Sequence, residues 1–450
     1  MVRCLVAIAC ASCLLAGIVR ATPLEFSLHR VDGEIQGPTV LVIGGIQGDE
    51  PGGFNAASLL ATHYKLRRGT LWVVPNLNFE SIVHRSRGVH GDMNRKFPAV
   101  PSWDPDFARV ERIKSIITDP QVRYVLNLHD GSGFFRLHHQ DGMRNPGRWG
   151  QSIIIDQESM DRAPHAALGG LARTISTRVN AMLMDEEHRY HVKNTRTREG
   201  NEEMAKTLTY YAINAGRPAV GLEASKSLPT HLRVYYHLQL IEAYLEELGL
   251  EFERSFALTP ASVRAAVDGN VRVAFYDRRL FLELADARRS LRFVPMKTDS
   301  ELRYEASSPL VAIVDDGGSF RVNYGNRRVT HLHPQFFEYD ASVERIGMTL
   351  DGQYRPVPVG TLVEVRDHFT VDAPDDIRVN VIGWHRAGVV SEGAVQIRLD
   401  EVASRFSVDQ GGRVFRVELY RGERFAGMVL VRFVAAETAA LRPLPRGSLS

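Results

Sequence analysis

The strongest constraint on the fold is an alternation of apolar strands with helical segments between about residues 39 and 250. The apolar run over residues 39–44 predicts a buried strand. Pro51 and the apolar spacing that follows it predict a helix directly after that strand. Further strands are predicted over 70–75, 122–128 and 218–222, and helical stretches over 163–187 and 232–248. Buried strands that alternate with helices predict an α/β domain with a mixed or largely parallel sheet.

Beyond about residue 250 the pattern changes to short runs in which apolar and polar residues alternate. Such runs occur over residues 271–276, 320–324, 361–366 and 414–420, and turn signals separate them. Short strands at this spacing predict two small β-sandwich or β-barrel domains. We divide the chain into an α/β domain over 22–250, a β-rich domain over 251–340 and an immunoglobulin-like β-domain over 341–450.

The first 21 residues have the three parts of a secretory signal peptide. A short cationic start precedes an apolar segment over residues 4–19, and Val19 and Ala21 suit a cleavage site after Ala21. The apolar segment is shorter than the ~20 residues that a membrane-spanning helix needs. We therefore predict a signal peptide over 1–21 and an exported protein. An uncleaved N-terminal anchor and lipidation at Cys10 or Cys13 are the alternatives.

The charge balance excludes a strongly basic surface for nucleic acid or membrane over the chain as a whole. There are 55 basic and 53 acidic residues, which gives a formal net charge of +2. Removal of residues 1–21 would take away two arginines and no acidic residue, so the remainder would be neutral. All three cysteines also lie in that segment, so no disulfide framework is expected.

Polar side chains follow three of the predicted strands. Gln47 and Glu50 lie in a glycine-rich turn after the first strand, His129 follows the strand over 122–128, and Glu223 follows the strand over 218–222. Ligand sites in open α/β sheets lie beyond the carboxyl ends of strands. A catalytic zinc ion takes three nitrogen or oxygen ligands, and a nearby carboxylate can accept the proton of its water. We expect these four side chains to meet at one rim.

In this order the residues resemble the carboxypeptidase A-like zinc carboxypeptidases. The family pattern is His-x-x-Glu, then Asn-Arg, a later single His and a late Glu. The corresponding residues in this sequence are Gln47, Glu50, Asn94, Arg95, His129 and Glu223. The resemblance covers roughly residues 38–250 and implies a carboxypeptidase-like α/β domain.

One position departs from that pattern, because Gln47 stands where the family has histidine. An amide oxygen is a weaker zinc ligand than imidazole, but it is an acceptable one. The resulting Gln-Glu-His set looks like that of the cell-shape-determining peptidoglycan D,L-carboxypeptidases of helical Gram-negative bacteria. Those enzymes also combine a signal peptide, a carboxypeptidase domain and two C-terminal β-domains.

The resemblance implies a role for each site residue. Gln47, Glu50 and His129 would bind Zn²⁺, and Glu223 would be the general base. Arg87 would stabilise the oxyanion, although the spacing does not decide between Arg87 and Arg85. The substrate-binding residues would be Asn94 and Arg95 for the terminal carboxylate, with Trp149 and Thr209 in the side-chain pocket. Weaker candidates near that pocket are Asp141, Arg144, Tyr210 and Tyr211.

The resemblance also implies a substrate and a compartment. The enzyme would hydrolyse the bond between D-glutamate and meso-diaminopimelate in the uncrosslinked peptidoglycan stem tripeptide, leaving a dipeptide in the periplasm. Partners in the cell wall or a shape complex would bind through the β-domains. Nucleic-acid partners and a transmembrane span are not expected.

Two other functions stay open at the level of sequence. One is an amidohydrolase similar to aspartoacylase or succinylglutamate desuccinylase, which shares the layout of metal ligands and base. Its substrates are small acyl-amino acids inside cells, so the signal peptide argues against it. The other is a wall-binding scaffold with no metal.

Overall fold

The computed structural model describes residues 24–434 apart from residues 162, 270 and 299. The predicted signal peptide lies outside the described residues. No helix in the described part of the chain is long and apolar enough to cross a bilayer.

The first part of the chain forms an eight-stranded mixed sheet with helices packed against it. The strands of this part are β1 (His29–Asp32), β2 (Ile35–Ile43), β3 (Tyr64–Val74), β4 (Val122–Gly131), β5 (Phe134–Phe135), β6 (Arg144–Asn145), β7 (Ser152–Ile155), β8 (His191–Asn194), β9 (Ala219–Ser225) and β10 (Glu251–Arg254), of which β5 and β6 pair with each other in a separate two-stranded sheet. Its helices are α1 (Pro51–His63), α2 (Phe79–His84), α3 (Phe107–Thr118), α4 (Leu168–Asn180), α5 (Leu208–Asn214), α6 (Thr230–Glu247) and α7 (Pro260–Asp268). Short 3-10 helices in the described chain cover Met93–Arg95, Glu186–His188, Thr197–Glu199, Met204–Lys206, Leu399–Glu401 and Ser404–Phe406.

The strand order is β1-β3-β2-β4-β9-β7-β8, and β10 pairs with β3. The central pairs β3–β2, β2–β4 and β4–β9 are parallel, whereas β1 and β10 run antiparallel to β3 and β7 runs antiparallel to β9. The prediction of a mixed sheet is therefore confirmed. The strands are mainly apolar where they cross the core because helices cover the sheet.

Two predicted strands end later than expected. Pairing between β4 and β9 continues to Gly131 and Ser225, so His129 and Glu223 lie inside their strands rather than after them. The extra residues are buried, which favours continued pairing of their backbone groups.

The rest of the chain is built from short β-strands, as predicted. They are β11 (Arg272–Phe275), β12 (Leu280–Glu283), β13 (Ser290–Lys297), β14 (Tyr304–Ala306), β15 (Val311–Asp315), β16 (Phe320–Tyr324), β17 (Arg327–Phe337), β18 (Arg345–Leu350), β19 (Gln353–Pro358), β20 (Thr361–Val365), β21 (His368–Asp372), β22 (Arg378–Val381), β23 (Ile397–Arg398), β24 (Val414–Arg421) and β25 (Arg424–Phe433). The sheets are β12-β11-β14, β13-β17-β16-β15, β19-β18-β21-β23 and β20-β25-β24-β22. The last two enclose one apolar core, as a sandwich does.

The segment after residue 250 begins with two elements that belong to the first core. β10 extends the sheet beside β3, and Val263 and Val267 of α7 are buried in the same apolar cluster as the main sheet. We propose that the boundary between the first and second domains lies after Asp268, whereas the boundary near residue 340 stays a prediction.

Four buried side chains of the first domain pack into the second core, those of Phe54, Phe79, Ile82 and Val83. Phe54 of α1 is fully buried in the cluster formed by the second domain, and a Cβ added to Gly325 would lie 2.9 Å from its ring. The helix that follows the glycine-rich turn is therefore anchored against the neighbouring β-domain.

Candidate active site

The turn between β2 and α1 carries Gln47 and Glu50 into the site. The turn packs closely against the backbone of α2, so that a Cβ at Gly48 would lie 2.0 Å from the carbonyl oxygen of Ser81. Only glycine fits there. Because Pro51 starts α1, Glu50 occupies the N-cap position, and its side chain is 4% exposed.

A buried ionic network holds this turn against β4. Asp130 accepts hydrogen bonds from the backbone amide of Gly52 at 2.7 Å and from Arg233 at 2.8 Å, and Nε2 of His237 lies 3.2 Å from its other oxygen. A Cβ at Gly52 would lie 2.2 Å from Asp130. The network joins the start of α1 to the strand that carries His129.

His129 and Glu223 are direct neighbours across the parallel pair of β4 and β9. Side chains at paired positions of adjacent strands lie on the same face of a sheet. The two residues therefore reach the same cleft, although they are 94 positions apart in the sequence.

Three donor atoms converge beside Glu223. Nδ1 of His129 lies 3.2 Å from Oε1 of Gln47 and 2.9 Å from Oε2 of Glu50. Among the described residues no group of three His, Cys, Asp or Glu side chains could hold a metal ion. A metal at this point would therefore take its third ligand from the Gln47 amide, and one imidazole, one carboxylate and one amide oxygen fit a borderline divalent cation.

Asp92 determines which end of the Gln47 amide faces the site. Nε2 of Gln47 donates to Oδ1 of Asp92 at 2.8 Å, so Oε1 is directed toward His129. Nε of Arg87 donates to the other oxygen at 2.9 Å. Burial alone would raise the pKa of Asp92, but the hydrogen bonds from Gln47 and Arg87 hold it below its usual value.

Asn127 contacts the opposite nitrogen of His129. Its Nδ2 lies 2.8 Å from Nε2 of His129, whereas its buried Oδ1 has no hydrogen-bond partner among the described residues. An asparagine amide can present either of its ends to a neighbour. With Oδ1 facing Nε2, it would accept the imidazole proton and leave Nδ1 as a ligand atom. This unpaired buried oxygen fits a metal-binding His129.

The electrostatics of the site favour a proton on Glu223. Burial raises the pKa of Glu223 to about 8, with a further increase from Glu50, whereas His129 lowers it. Burial would lower the pKa of His129, but Glu50 and then Glu223 raise it above its ordinary value. Both shifts show that the carboxylate of Glu50 acts on His129 and Glu223 together.

Arg87 lies in the cleft and Arg85 does not. One guanidinium nitrogen of Arg87 is 3.5 Å from Oε1 of Glu50. Arg85 caps the C-terminus of α2 in the left-handed region at φ 55°, and its side chain donates to the carbonyl of Asn326 in the second domain. The turn at Arg85 directs its side chain away from the site.

Asn94 and Arg95 lie on the short 3-10 helix beside the turn. Oδ1 of Asn94 accepts the backbone N–H of Leu208 at 3.0 Å, which leaves its amide nitrogen as a donor for a ligand. Arg95 donates to the carbonyl of Asn94 and is 3.5 Å from an oxygen of Glu203. Both side chains line the cleft.

All nine residues to which the sequence analysis gives a role line one cleft of about 260 Å³. They include Trp149, whose ring packs under the ammonium group of Lys193 at 4.0 Å, and Thr209 on α5. The structure thus brings together the residues that the motif order selected. Their chemical roles remain predictions.

The weaker candidates do not reach the cleft. Asp141 and Arg144 form an ion pair at 2.6 Å outside the described lining. Tyr211 packs on Phe97 with ring centroids 5.9 Å apart, and Tyr210 is not part of the described lining. A substrate contact from these four residues is not supported.

Sequence reasoning missed two residues of the site. Lys226 lines the cleft, 2.6 Å from Oδ2 of Asp49 and 3.6 Å from Oε1 of Glu50. Asp92 orients Gln47. Lys226 lies three positions after Glu223 and Asp92 two positions before Asn94, so proximity to the motifs was the available signal.

Two family models match the chain. Residues 2–268 match the model described as the catalytic part of a carboxypeptidase controlling helical cell shape. Residues 339–434 match the model described as the C-terminal domain of metallo-carboxypeptidase. The comparison with curated proteins found no match.

The chain is also similar to solved structures of the cell shape determinant protein Csd4 from Helicobacter pylori. The apo and the tripeptide-bound forms are each 38% identical, with a TM-score of 0.83, over 91% of this chain and 100% of theirs. The mDAP-bound form, described as a D,L-carboxypeptidase, is 40% identical, with a TM-score of 0.82, over 88% of this chain and 97% of that one.

Proposed function

The chain belongs to the family of metallocarboxypeptidases that control helical cell shape, and from that premise we propose that it is a zinc D,L-carboxypeptidase of peptidoglycan. Its substrate would be the uncrosslinked stem tripeptide, cut between D-glutamate and meso-diaminopimelate to leave a dipeptide. The observation that carries this proposal is the convergence of Gln47, Glu50 and His129 beside Glu223. The likeness to a relative solved with a tripeptide and with mDAP supports the choice of substrate.

Gln47, Glu50 and His129 would hold the zinc ion. Their formal charge is −1 when His129 is neutral, and Asp92 presents the correct atom of Gln47. When bound, zinc polarises a scissile carbonyl and lowers the pKa of water. Amide oxygen is a weaker ligand than imidazole, and the hydrogen bond that Gln47 donates to Asp92 reduces the cost of ordering Gln47.

Glu223 would accept a proton from the attacking water and pass it to the leaving amine. Its raised pKa, which burial brings to about 8, makes it a stronger base than an exposed carboxylate. The raised pKa of Glu223 also favours retention of that proton on its carboxyl group until the amine departs. The pairing of β4 with β9 holds the carboxylate beside His129.

Arg87 would stabilise the negative charge that develops on the carbonyl oxygen. It is held by Asp92 at 2.9 Å and reaches Glu50 at 3.5 Å, so its guanidinium is oriented before substrate arrives. A preorganised cation aimed at developing charge lowers the barrier. The side chain of Arg85 donates a hydrogen bond to the carbonyl of Asn326 in the second domain, so we assign this role to Arg87.

Asn94 and Arg95 would bind the terminal carboxylate of the peptide. The amide nitrogen of Asn94 is available, since its oxygen already accepts from Leu208. Arg95 could offer its planar donors to the same carboxylate. Trp149 and Thr209 would then contact the side chain of the terminal residue.

The protein would act in the periplasm, exported by the signal peptide predicted over residues 1–21. The β-domains would offer surfaces to the cell wall or to a protein partner of a shape complex. The zinc, the compartment and these partners are our proposals, and each can be tested separately.

The direct test is incubation of the purified protein with muropeptides that end in the tripeptide. We expect release of diaminopimelate, measured by mass spectrometry, together with one zinc ion per chain. Glu223→Gln should keep the zinc and lose about 10²- to 10⁴-fold in turnover, whereas Glu305→Gln, at an exposed position of the second domain, should keep both. Hydrolysis of small acyl-amino acids instead would indicate the amidohydrolase, and an uncut tripeptide with no bound metal would indicate the scaffold.

A further inference from the structure

The turn that carries Gln47 and Glu50 depends on its neighbours for its shape. It spans residues 44–50 and contains three glycines, and Gly45 has φ 74°, in the left-handed region. Glycine backbone is conformationally free and has no side chain with which to pack. Ligand side chains must nevertheless be held within about 0.5 Å of their working positions. The rigidity of this turn must therefore come from the elements around it.

The helix α2 supplies one of these supports. The backbone amide of Gly48 donates to the carbonyl of Ser86 at 2.9 Å, just beyond the end of α2. Ile82 of the same helix packs on the turn, since a Cβ added to Gly45 would lie 2.6 Å from its Cδ1. The carbonyl of Gly45 also accepts a hydrogen bond from the backbone amide of Asn78 at 2.8 Å. The turn is thus contacted by backbone at both ends of α2 and by one apolar side chain.

The apolar face of α2 belongs to the core of the second domain. Phe79, Ile82 and Val83 are buried in the apolar cluster of that domain rather than in the cluster of the main sheet. Their spacing of three and four residues places them on one face of the helix. Ile82 is fully buried, and its side chain joins the second core to Gly45 of the turn.

The second domain also supports the other end of the turn. Phe54, one helical turn after Glu50 on α1, packs in the second core against Gly325. A polar contact crosses the same boundary, because Nδ2 of Asn76 donates to the carbonyl of Pro309 at 3.0 Å. The turn is thus held between two helices whose apolar side chains share one neighbouring core.

We propose that Ile82 is a positioning residue, through which the second domain holds the turn that presents Gln47 and Glu50. The inference rests on the proposed function in taking these two residues as metal ligands. Ile82 is not part of the described lining of the cleft, so its effect must pass through the turn. The second domain then becomes a part of the active site, in addition to any surface that it offers to a partner.

The matched control for Ile82 is Ile313 on β15, which is 1% exposed in the same apolar cluster. Ile82→Ala and Ile313→Ala remove the same atoms from one core, so both should lower the free energy of unfolding to a similar extent. A difference between the two variants at the turn therefore reports positioning rather than general destabilisation.

Hydrogen exchange of the metal-free protein tests the turn directly. Ile82→Ala should speed exchange in residues 44–50 by about tenfold or more, because loss of a buried side chain weakens the local structure that protects these amides. Ile313→Ala should leave exchange in that segment within about threefold of the unaltered protein. Mass spectrometry of peptic fragments measures both rates. Equal exchange of residues 44–50 in the two variants would overturn the inference.

Zinc affinity gives the second readout, from competition with a chelator of known affinity. Ile82→Ala should lower it by about 10- to 100-fold, the range typical of residues that orient metal ligands. Ile313→Ala should change it by less than about threefold, and equal losses in the two variants would count against the inference. If the unaltered protein binds no zinc and leaves the tripeptide uncut, the proposed function fails. Exchange of residues 44–50 then still decides whether Ile82 positions the turn.

A milder pair of variants covers the case in which Ile82→Ala does not fold. Ile82→Val removes only Cδ1, the atom that packs on Gly45, and Ile313→Val removes the same atom at the control position. We expect exchange in residues 44–50 to be about two- to tenfold faster in Ile82→Val than in Ile313→Val, because the cavity is smaller than that of the alanine variant. An equal rate in this pair would overturn the inference.

Discussion

The side-chain amide of Gln47 donates a 2.8 Å hydrogen bond to Oδ1 of Asp92, and this contact turns the amide oxygen toward His129. A glutamine can present either oxygen or nitrogen, whereas only the oxygen is a useful metal ligand. The orientation of this ligand therefore depends on a residue that lies outside the donor set.

Removal of that residue should weaken the metal site. We expect Asp92→Ala to lower zinc affinity by about 10- to 100-fold, because partners that orient ligands typically contribute that much. Competition with a chelator of known affinity measures the change. The exposed Glu203→Ala should bind zinc like the unaltered protein. Equal affinities for Asp92→Ala and the unaltered protein would contradict this account.

The two arginines near α2 should differ sharply in their effect on catalysis. Arg87→Ala should lower kcat by about 10²- to 10³-fold, the loss typical of a removed oxyanion donor. Arg85→Ala should leave kcat within about threefold, because its guanidinium faces Asn326. Steady-state kinetics with the tripeptide measure kcat for both variants. A large loss of kcat in Arg85→Ala alone would assign the oxyanion role to Arg85 instead.

The acid limb of the pH profile should depend on Lys226. The positive charge of Lys226 lowers the pKa of Glu223, although burial has the larger, opposite effect. A general base works in its ionised form, so activity is lost as the pH falls through its pKa. Lys226→Met should raise the pKa of Glu223 and move the acid limb of kcat/KM to higher pH. The exposed Lys206→Met is the control, and a limb that moves to lower pH would disprove the assignment.

The anchor between the first two domains should contribute strongly to stability. Phe54 is fully buried in the second core, so Phe54→Ala should lower the free energy of unfolding by about 3–5 kcal/mol. Phe293→Ala removes a phenylalanine that is 62% exposed and should cost less than about 0.5 kcal/mol. Denaturant unfolding monitored by circular dichroism compares them. Equal midpoints for the two variants would show that the anchor is energetically unimportant.

Much of the fold follows from local sequence patterns. The runs over 39–44 and 122–128 predict strands because few other structures bury such continuous apolar segments. Pro51 marks the start of α1 because its missing N–H costs nothing at that position. The order of the motifs also selected six of the residues that line the cleft, namely Gln47, Glu50, Asn94, Arg95, His129 and Glu223. These features depend on neighbours in the chain, which a sequence displays directly.

Other features depend on packing between distant segments. The apolar spacing of α1 predicts that Phe54 is buried in the core of its own domain, yet its side chain packs into the core of the second domain. β10 and α7 follow the predicted boundary at residue 250, yet they complete the first sheet and core. Arg85 and Arg87 are equivalent in the sequence, and only the left-handed turn at Arg85 separates their directions.

The sequence by itself determined the types of element, the class of site and nine of the residues that line it, but not Lys226 or Asp92. Only the tertiary structure decided that His129 and Glu223 are register partners and that Asp92 orients Gln47. The physical reason is that strand order and side-chain direction arise from the burial of the whole chain. Apolar periodicity records which face is buried, but not which distant residue is buried against it.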